Sequence, residues 1–353
     1  MLTFPLQKEL ETKEMLKKSI KANAALAKLN GVAKIIPNRM ILINALTLQE
    51  AKDSSEIENI ITTHDELYLA SVSKKFSKEV KEVQNYKEAL LLGYERVRKN
   101  KLFTLQDIIE IQEIITGNSA GVRKQLGTVL KNEKTGEVIY TPPQNYDEIM
   151  KLLNNLFAYI NDDSLEDYDP LVKMALIHFQ FESIHPFYDG NGRSGRILNV
   201  LYLVLKDLLE LPILYLSSYI IKHKSDYYRF LQEVRTKQNY DKWIYYILDA
   251  VEITADNTCI LIENIEKLMQ KTQLKLQNEL PKIYSKDLVE VLFLHPYTKI
   301  ETLVQRLNVT RKTASKYLKE VEKIGLLKEV KIGRSRYFIN IELFEYLKKA
   351  INE

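Results

Sequence analysis

Apolar residues recur at intervals of three and four along most of the chain, which is the spacing of amphipathic helices. The spacing predicts a helix over residues 11–31 that ends at Gly31, because glycine is favoured just after a helix. Asp169 and Pro170 fit the N-cap and the first position of a second helix. The central predicted helices cover residues 147–162, 169–183 and 196–211. This part of the chain is therefore expected to be a helical bundle.

A pair of short β-prone runs interrupts the helical pattern. The runs Gly127 to Leu130 and Val138 to Tyr140 are separated by a polar turn that contains Gly136, and Pro142 and Pro143 end the second run. This arrangement predicts a β-hairpin. Because an isolated two-stranded hairpin is marginally stable in water, it must pack against the helices. It forms either a flap over a ligand site or a plain surface excursion.

A different order of elements follows Tyr284. The pattern predicts a helix, a second short helix, a third helix opened by Thr310, and then an alternating segment over residues 326–340. That order is typical of a winged helix-turn-helix. Residues 255–280 keep a helical spacing and are expected to form a connecting helix. The chain is therefore predicted to be mainly α, with a helical bundle, a β-hairpin and a C-terminal winged helix-turn-helix domain.

Composition places the chain among ordinary globular proteins. It has 353 residues, of which 45% are hydrophobic and 28% are charged. A single cysteine, Cys259, excludes an internal disulfide and a Cys-rich zinc site, and it suits a reducing compartment. The sequence contains neither an apolar leader nor an apolar run long enough to span a membrane. We therefore expect a cytoplasmic protein without a membrane partner.

Positive charge is concentrated in the C-terminal segment. The whole chain carries a formal net charge of +4, whereas residues 281–340 hold 13 Lys and Arg against 6 Asp and Glu. A basic third helix and hairpin would suit contacts with nucleic-acid phosphates, so a DNA-binding regulator is one function to weigh. Winged helices also dock proteins, and basic solvated faces are common. The candidate DNA-contacting residues are Arg311, Lys312, Lys316, Lys319, Arg334 and Arg336.

The stretch HPFYDGNGRSGR, residues 185–196, joins two predicted helices and gathers unusual chemistry. Pro186 stops the preceding helix, so the stretch begins as a loop. A turn of Gly190, Asn191 and Gly192 at the start of the next helix offers free backbone N–H groups and the positive end of the helix dipole, which together bind anions. Two arginines follow three residues apart, so they are neighbours that can both bind phosphate oxygens. The stretch therefore predicts a polyphosphate site.

An acid and a base complete this stretch. Asp189 would repel a bound phosphate unless a divalent cation bridged the two, and Mg²⁺ is typically held by one or two carboxylates plus substrate phosphates. His185 is the nearby group that takes up a proton near neutral pH. The combination indicates attack of a hydroxyl on a nucleotide phosphate. The rival enzyme class is a metal-dependent phosphohydrolase that uses His178, His185 and Asp189.

The same stretch resembles the motif of the Fic-domain family, HPFx(D/E)GNGRxxR, and matches it at every fixed position. The resemblance implies a protein adenylyltransferase that moves AMP from Mg-ATP to a Tyr, Ser or Thr hydroxyl of a target protein, or of itself, and releases pyrophosphate. It implies that His185 is the catalytic base, Asp189 the Mg²⁺ ligand and Phe187 the apolar anchor of the loop. The residues implied to bind ATP are Gly190, Asn191, Gly192, Arg193, Ser194, Gly195 and Arg196, with Arg193 at the γ-phosphate.

Three further stretches take their meaning from this resemblance. The predicted hairpin is similar to the family's flap, which aligns target and nucleotide. Tyr227, in the stretch SDYYRFL, would lie near the adenine. The stretch SSEIEN, residues 54–59, matches the family's inhibitory pattern (S/T)xxxE(G/N), so Glu58 would pair with Arg193 and displace ATP from its productive pose. The same carboxylate could instead orient a water that removes AMP from a modified protein.

These predictions divide the chain into four segments. They are an N-terminal helical region with the inhibitory motif (1–110), a Fic core (111–250), a connecting helix (251–280) and a winged helix-turn-helix (281–353). The implied partners are ATP and an unidentified target protein. The resemblance is also compatible with a homodimer through the helical core.

Overall fold

A computed structural model describes residues 2–6, 8–70, 76–131, 135–332 and 335–349 of the chain. This part is mainly helical and carries two small antiparallel sheets. Its first five helices are α1 (Lys13–Val32), α2 (Arg39–Ile57), α3 (His64–Ala70), α4 (Lys78–Asn100) and α5 (Leu105–Thr116). The predicted end of α1 at Gly31 is wrong, because the helix continues to Val32 and a 3-10 turn, Ala33–Ile35, follows directly.

The hairpin follows α5 and consists of β1 (Leu130–Lys131) and β2 (Val138–Tyr140). The bounds of β2 are as predicted, but the first strand begins at Leu130 rather than at Gly127. The physical reason is that Gly127 has a φ of 93°, a left-handed conformation that interrupts an extended run. The helices of the central part are α6 (Tyr146–Asn161), α7 (Pro170–Ile184), α8 (Asn191–Leu205), α9 (Ser217–Lys222), α10 (Lys224–Lys237) and α11 (Tyr240–Glu279).

The centre of the molecule is the pair α7 and α8. The side chain of Asp169 caps α7 by accepting from the backbone N of Leu171 at 2.8 Å, and Pro170 is the first helical residue, as predicted. Every residue of α7 after Pro170 is buried, as expected of a helix that is apolar on all sides. α8 packs against α7, α4 and α5, while α1 runs along α11. No helix in the described part of the chain is long and apolar enough to cross a membrane.

The C-terminal unit follows the predicted order of helices and strands. Its elements are α12 (Lys286–Leu294), β3 (Tyr297–Thr298), α13 (Ile300–Leu307), α14 (Arg311–Lys323), β4 (Lys328–Ile332), β5 (Ser335–Ile339) and α15 (Ile341–Lys349). The sheet order is β3–β5–β4, with β5 antiparallel to both neighbours. The sequence did not predict the short strand β3 or the last helix. The segment boundary predicted at residue 250 falls inside α11, which runs unbroken to Glu279.

The C-terminal unit lies against α2. The side chain of Gln49 donates to the backbone O of Leu347 at 3.0 Å, and this contact is buried. At the start of α2, the side chain of Asn38 donates to Glu290 at 2.8 Å. The C-terminal unit therefore contacts the helix that leads to the SSEIEN stretch.

Candidate active site

The stretch 185–196 connects α7 to α8 through two left-handed residues. His185 directly follows α7 and has a φ of 48°, and Gly190 directly precedes α8 and has a φ of 80°. The side chain of Asn191 closes the loop, since its Oδ1 accepts from the backbone N of Phe187 at 2.8 Å and its Nδ2 donates to the backbone O of Phe187 at 2.9 Å. The ring of Phe187 is fully buried. One amide and one ring therefore fix the position of the loop.

His185 lies at the start of this loop, and its Nδ1 is buried without a hydrogen-bond partner among the described residues. Burial first, and then the positive charges of Arg123 and Arg235, lower the pKa of the ring to about 4. The ring is therefore neutral at pH 7 and can accept a proton. Arg123 also holds the backbone here, because its Nε donates to the backbone O of His185 at 2.7 Å.

The N-terminus of α8 lies against the carboxylate of Glu58. No side chain of the described residues caps this helix end, so its first N–H groups lack an acceptor within the helix. Glu58 Oε1 lies so close to Gly192 that a Cβ on this glycine would be 2.3 Å from it. The Glu58 carboxylate therefore lies beside the N-terminus of α8, and a helix N-terminus is a place where anions bind.

Arg196 joins α8 to the end of α2. Its Nη2 donates to Glu58 Oε1 and to the backbone O of Ser54, both at 2.9 Å, and its Nε donates to Ser54 Oγ at 2.7 Å. The prediction that Glu58 pairs with Arg193 is wrong, because α8 presents Arg196 to α2 and Arg193 to α4. Burial would raise the pKa of Glu58, but the charge and hydrogen bond of Arg196, together with the nearby charges of Arg193 and Lys224, hold this pKa below its usual range. The carboxylate is therefore charged at neutral pH.

Arg193 contacts two other carboxylates. Its Nη1 donates to Glu82 Oε2 of α4 at 2.9 Å, and its Nη2 lies 3.4 Å from Asp189 Oδ1. The Asp189 side chain is 73% exposed, so a cation in solvent can reach it. Mg²⁺ held by one carboxylate and substrate phosphates needs no cluster of protein ligands. Asp189, beside the N-terminus of α8, therefore fits a Mg²⁺ ion that arrives with a nucleotide.

Three family models match the chain in succession. They are Fic/DOC family N-terminal over residues 16–95, Fic/DOC family over residues 102–203, and Protein adenylyltransferase SoFic-like, C-terminal domain, over residues 268–343. The second match contains the whole 185–196 loop. The chain belongs to the Fic/DOC family.

Curated relatives of this Fic/DOC protein share part of its length. It is 28% identical over 160 residues to the protein adenylyltransferase Fic of Aedes aegypti, which is 45% of this chain and 30% of that protein. It is 26% identical over 195 residues to a probable protein adenylyltransferase of Aquifex aeolicus, which is 54% of this chain and 57% of that one. The chain thus spans less than a third of the first relative and just over half of the second.

Solved structures share the fold. A Fic family protein from Desulfovibrio desulfuricans G20 matches with a TM-score of 0.57 at 19% identity, over 93% of this chain and 96% of that one. A Fic domain containing signaling protein from Bacteroides thetaiotaomicron matches with a TM-score of 0.57 at 18% identity, over 69% of this chain and 97% of that one. Identities this low show the fold alone.

Three other residues predicted to contact the nucleotide, Ser194, Gly195 and Tyr227, lie on the buried side of the 185–196 loop. The hydroxyl of Tyr227 lies 2.9 Å from Nε2 of His178, whose Nδ1 is 3.2 Å from the backbone O of Gly195. A Cβ on Gly195 would lie 2.6 Å from Glu182 Oε1. Ser194 is also buried. The structure therefore places His178 as a hydrogen-bonded core residue and Tyr227 within the same core, and the contact between Tyr227 and adenine stays a prediction.

The hairpin packs beside the 185–196 loop. The hydroxyl of Tyr140 in β2 donates to the backbone O of Ser183 at 3.0 Å, two residues before His185. The guanidinium of Arg235 lies 4.0 Å from the centre of the Tyr140 ring. Gln232 of α10 donates to the backbone O of Ile139 at 3.1 Å. The hairpin thus packs against α7 and α10 beside the site, where a flap is expected. Its action on a target protein stays a prediction.

Three of the five described candidate DNA-contacting side chains are paired with acids. The pairs are Arg311–Glu301, Lys319–Glu322 and Arg336–Glu329. Lys312 and Lys316 are exposed, and Arg334 lies outside the described residues. Paired cations contribute less to a phosphate-binding surface. DNA binding therefore stays a prediction, with a smaller set of free cations than the sequence indicated.

Several residues of the site were not predicted from the sequence, among them Arg123 and Arg235 at His185 and the three residues that follow. Glu82 contacts Arg193, and Lys224 Nζ donates to the backbone O of Ile57 at 2.6 Å, which holds the end of α2. Both lie on polar helix faces that look solvated in the sequence, so no signal marked them. Glu182 is the one acid of the apolar helix α7, and burial raises its pKa to about 7. A single acidic residue in an otherwise apolar helix is a signal from which a functional role of Glu182 could have been predicted.

Proposed function

We propose that this Fic/DOC protein is a protein adenylyltransferase that transfers AMP from ATP to a Tyr, Ser or Thr hydroxyl of a protein. The observation that carries the proposal is the neutral His185 ring on the same short loop as a helix N-terminus and two buried guanidiniums. A base and a polyphosphate site so close together suit phosphoryl-group chemistry, which depends on positioning and charge stabilisation. The names of the curated relatives agree with this reaction.

The transfer would proceed in line at the α-phosphorus. His185 takes the proton of the target hydroxyl as the hydroxyl oxygen bonds to the α-phosphorus, and the bond from that phosphorus to the oxygen bridging to the β-phosphate breaks. Pyrophosphate leaves with the electron pair. Backbone N–H groups at Asn191 and Gly192 would bind the phosphates, with the two arginines of the loop. Asp189 would hold Mg²⁺, which neutralises phosphate charge when it is bound.

In the resting state Glu58 inhibits this reaction. Its carboxylate lies against Gly192 and pairs with Arg196, so it occupies both a backbone site and a guanidinium that the phosphate chain needs. ATP must displace Glu58 before the phosphates can reach α8. The wild-type protein should therefore be slow, and Glu58→Gly should be faster.

Intact-mass analysis after incubation with Mg-ATP and cell lysate tests the proposal. We expect the Glu58→Gly variant to add the mass of AMP to itself or to a lysate protein, and the variant that also carries His185→Ala to add none. Free AMP or phosphate without modified protein would instead indicate a phosphohydrolase. Loss of AMP from a previously modified protein, dependent on Glu58, would indicate the reverse reaction.

A further inference from the structure

Both guanidiniums of the catalytic loop are held by carboxylates from helices that precede the core. Glu58 at the end of α2 holds Arg196, and Glu82 in α4 holds Arg193. Glu82 is 22% exposed at its side chain, whereas the Arg193 side chain is only 3% exposed. α4 packs directly on α8, so this second pair is built on two packed helices rather than on a helix end. The reaction described above gives Glu82 no role.

The geometry around Arg193 shows what Glu82 prevents. Asp189 lies in the loop four residues before Arg193, and Arg193 Nη2 is 3.4 and 3.5 Å from the two Asp189 oxygens. A tight charge-assisted contact would be about 2.7–2.9 Å long, and arginine prefers to bind a carboxylate through two parallel contacts. Glu82 draws Nη1 to its own carboxylate at 2.9 Å, which keeps the guanidinium away from such a fork with Asp189. Without Glu82, a closed Arg193–Asp189 pair would occupy both a phosphate-binding group and the candidate metal ligand.

We propose that Glu82 is a positioning residue that holds Arg193 off Asp189, so that Asp189 stays available to Mg²⁺ and Arg193 to the phosphates. This inference rests on the proposed function. Two further observations agree with it. Nε of Arg193 is buried without a partner among the described residues, so carboxylates do not take up every donor of this guanidinium. The charges of Glu82, Arg193 and Asp189 sum to −1, which favours binding of a divalent cation, whereas a neutral residue at position 82 would bring this sum to zero.

The test compares Glu82→Gln with its parent in the active Glu58→Gly background. We expect the Mg²⁺ concentration that gives half-maximal AMP transfer to rise about tenfold, because one nearby charge is lost and Asp189 gains a competitor. The rate at saturating Mg²⁺ should stay within about threefold of the parent. Glu82→Asp keeps the charge and should need nearly the same Mg²⁺ concentration as the parent. Lys78→Gln is the matched control, since Lys78 is an exposed neighbour 3.8 Å from Glu82 that does not contact Arg193.

A binding measurement accompanies the rates. In protein that also carries His185→Ala, calorimetric titration with ATP at graded Mg²⁺ should show the same shift without turnover. When Arg193 is replaced by Ala, the part of the shift that comes from the competing Arg193–Asp189 contact should disappear, and only the smaller effect of the missing charge, about twofold, should remain. The proposal would be overturned if Glu82→Gln transferred AMP faster than its parent at every Mg²⁺ concentration. It would also be overturned if the variant lost transfer rate, added Mg²⁺ did not restore that rate, and the loss persisted without Arg193. Failure of the parent to bind ATP would refute the proposed function itself, whereas normal binding with unchanged Mg²⁺ dependence refutes only the role of Glu82.

Discussion

Replacing Glu58 should separate the charge of this carboxylate from the space that it fills. Its Oε1 lies 2.9 Å from Arg196 Nη2. Two unit charges about 4 Å apart attract each other by about 4 kcal/mol at an effective dielectric constant of about 20. The Glu58 side chain is 37% exposed. We therefore reduce the attraction for solvent screening to about 2 kcal/mol. ATP must overcome this energy, so its apparent affinity should be weakened about 30-fold by the charge alone.

Two variants separate the effect of the Glu58 charge on ATP affinity from the effect of the space that the side chain fills. Glu58→Gln removes the charge but leaves a side chain of the same size over Gly192, where a Cβ would already be only 2.3 Å from Oε1. Glu58→Gly removes both. We expect ATP to bind about 30-fold more tightly to the Gln variant than to the wild type, and still more tightly to the Gly variant. Calorimetric titration with Mg-ATP gives the affinities, and transfer of label from ATP to protein gives the rates. Glu56→Gln is the matched control, because Glu56 pairs with Lys52 on the same helix and should leave both quantities unchanged.

Stability provides a second readout of the same pair. Removing Glu58 leaves the buried Arg196 without its carboxylate, which should lower the free energy of unfolding by about 1–3 kcal/mol. Bound nucleotide should restore this loss, since a ligand that binds the folded state stabilises it. The electrostatic reasoning is refuted if the Gln variant binds ATP like the wild type while the Gly variant binds more tightly. Inhibition by Glu58 is refuted if neither variant differs from the wild type.

Other predictions concern the base, the buried tyrosine and the C-terminal unit. The pKa of His185 is lowered to about 4, so protonation of this ring should not slow AMP transfer by the Glu58→Gly variant between pH 8 and pH 6. The rate should fall only near pH 4, where the neutral base is lost. A half-maximal rate near pH 6.5 would contradict this reasoning. His185→Ala should abolish transfer without weakening ATP binding. Tyr227→Phe should lower the free energy of unfolding by about 1 kcal/mol and leave the KM for ATP unchanged, whereas a large rise in KM would support contact with adenine. If Lys312 and Lys316 carry duplex DNA binding, affinity should fall with salt at a slope of roughly −2 and vanish when both are replaced by Ala; no binding at low salt would exclude this role.

The catalytic loop could be predicted because its chemistry is local in sequence. Pro186 and Gly190 set the turn, and the helix N-terminus follows from the next apolar run. Helix α7 could be predicted from its spacing for the same reason, whereas the helix predicted over residues 196–211 extends past the end of α8 at Leu205. The start of β1 could not, since the left-handed φ of Gly127 depends on the path of the whole connection. Local patterns therefore predicted which elements form more accurately than they predicted where each element begins and ends.

Contacts between distant segments could not be predicted from the sequence. Arg193 and Arg196 are neighbours on one helix, and the sequence does not show which earlier helix each one meets. Packing decides this, because α8 lies between α4 and α2 and each guanidinium reaches the acid on its own side. Glu82 has no sequence signal for the same reason. The acids that hold the loop lie in a segment separate from the predicted core.

The position of Glu58 also limits how the proposed inhibition could be relieved. α2 is buried almost throughout from Ile41 to Ile57, and the C-terminal unit covers it through Gln49. Withdrawing this helix would expose a large apolar surface, which is costly. Glu58 itself lies just past the helix, is partly exposed, and is followed by the left-handed Asn59. Rotation of one side chain into solvent would free Arg196 while the fold stays intact, so relief by that rotation requires far less energy than a movement of α2.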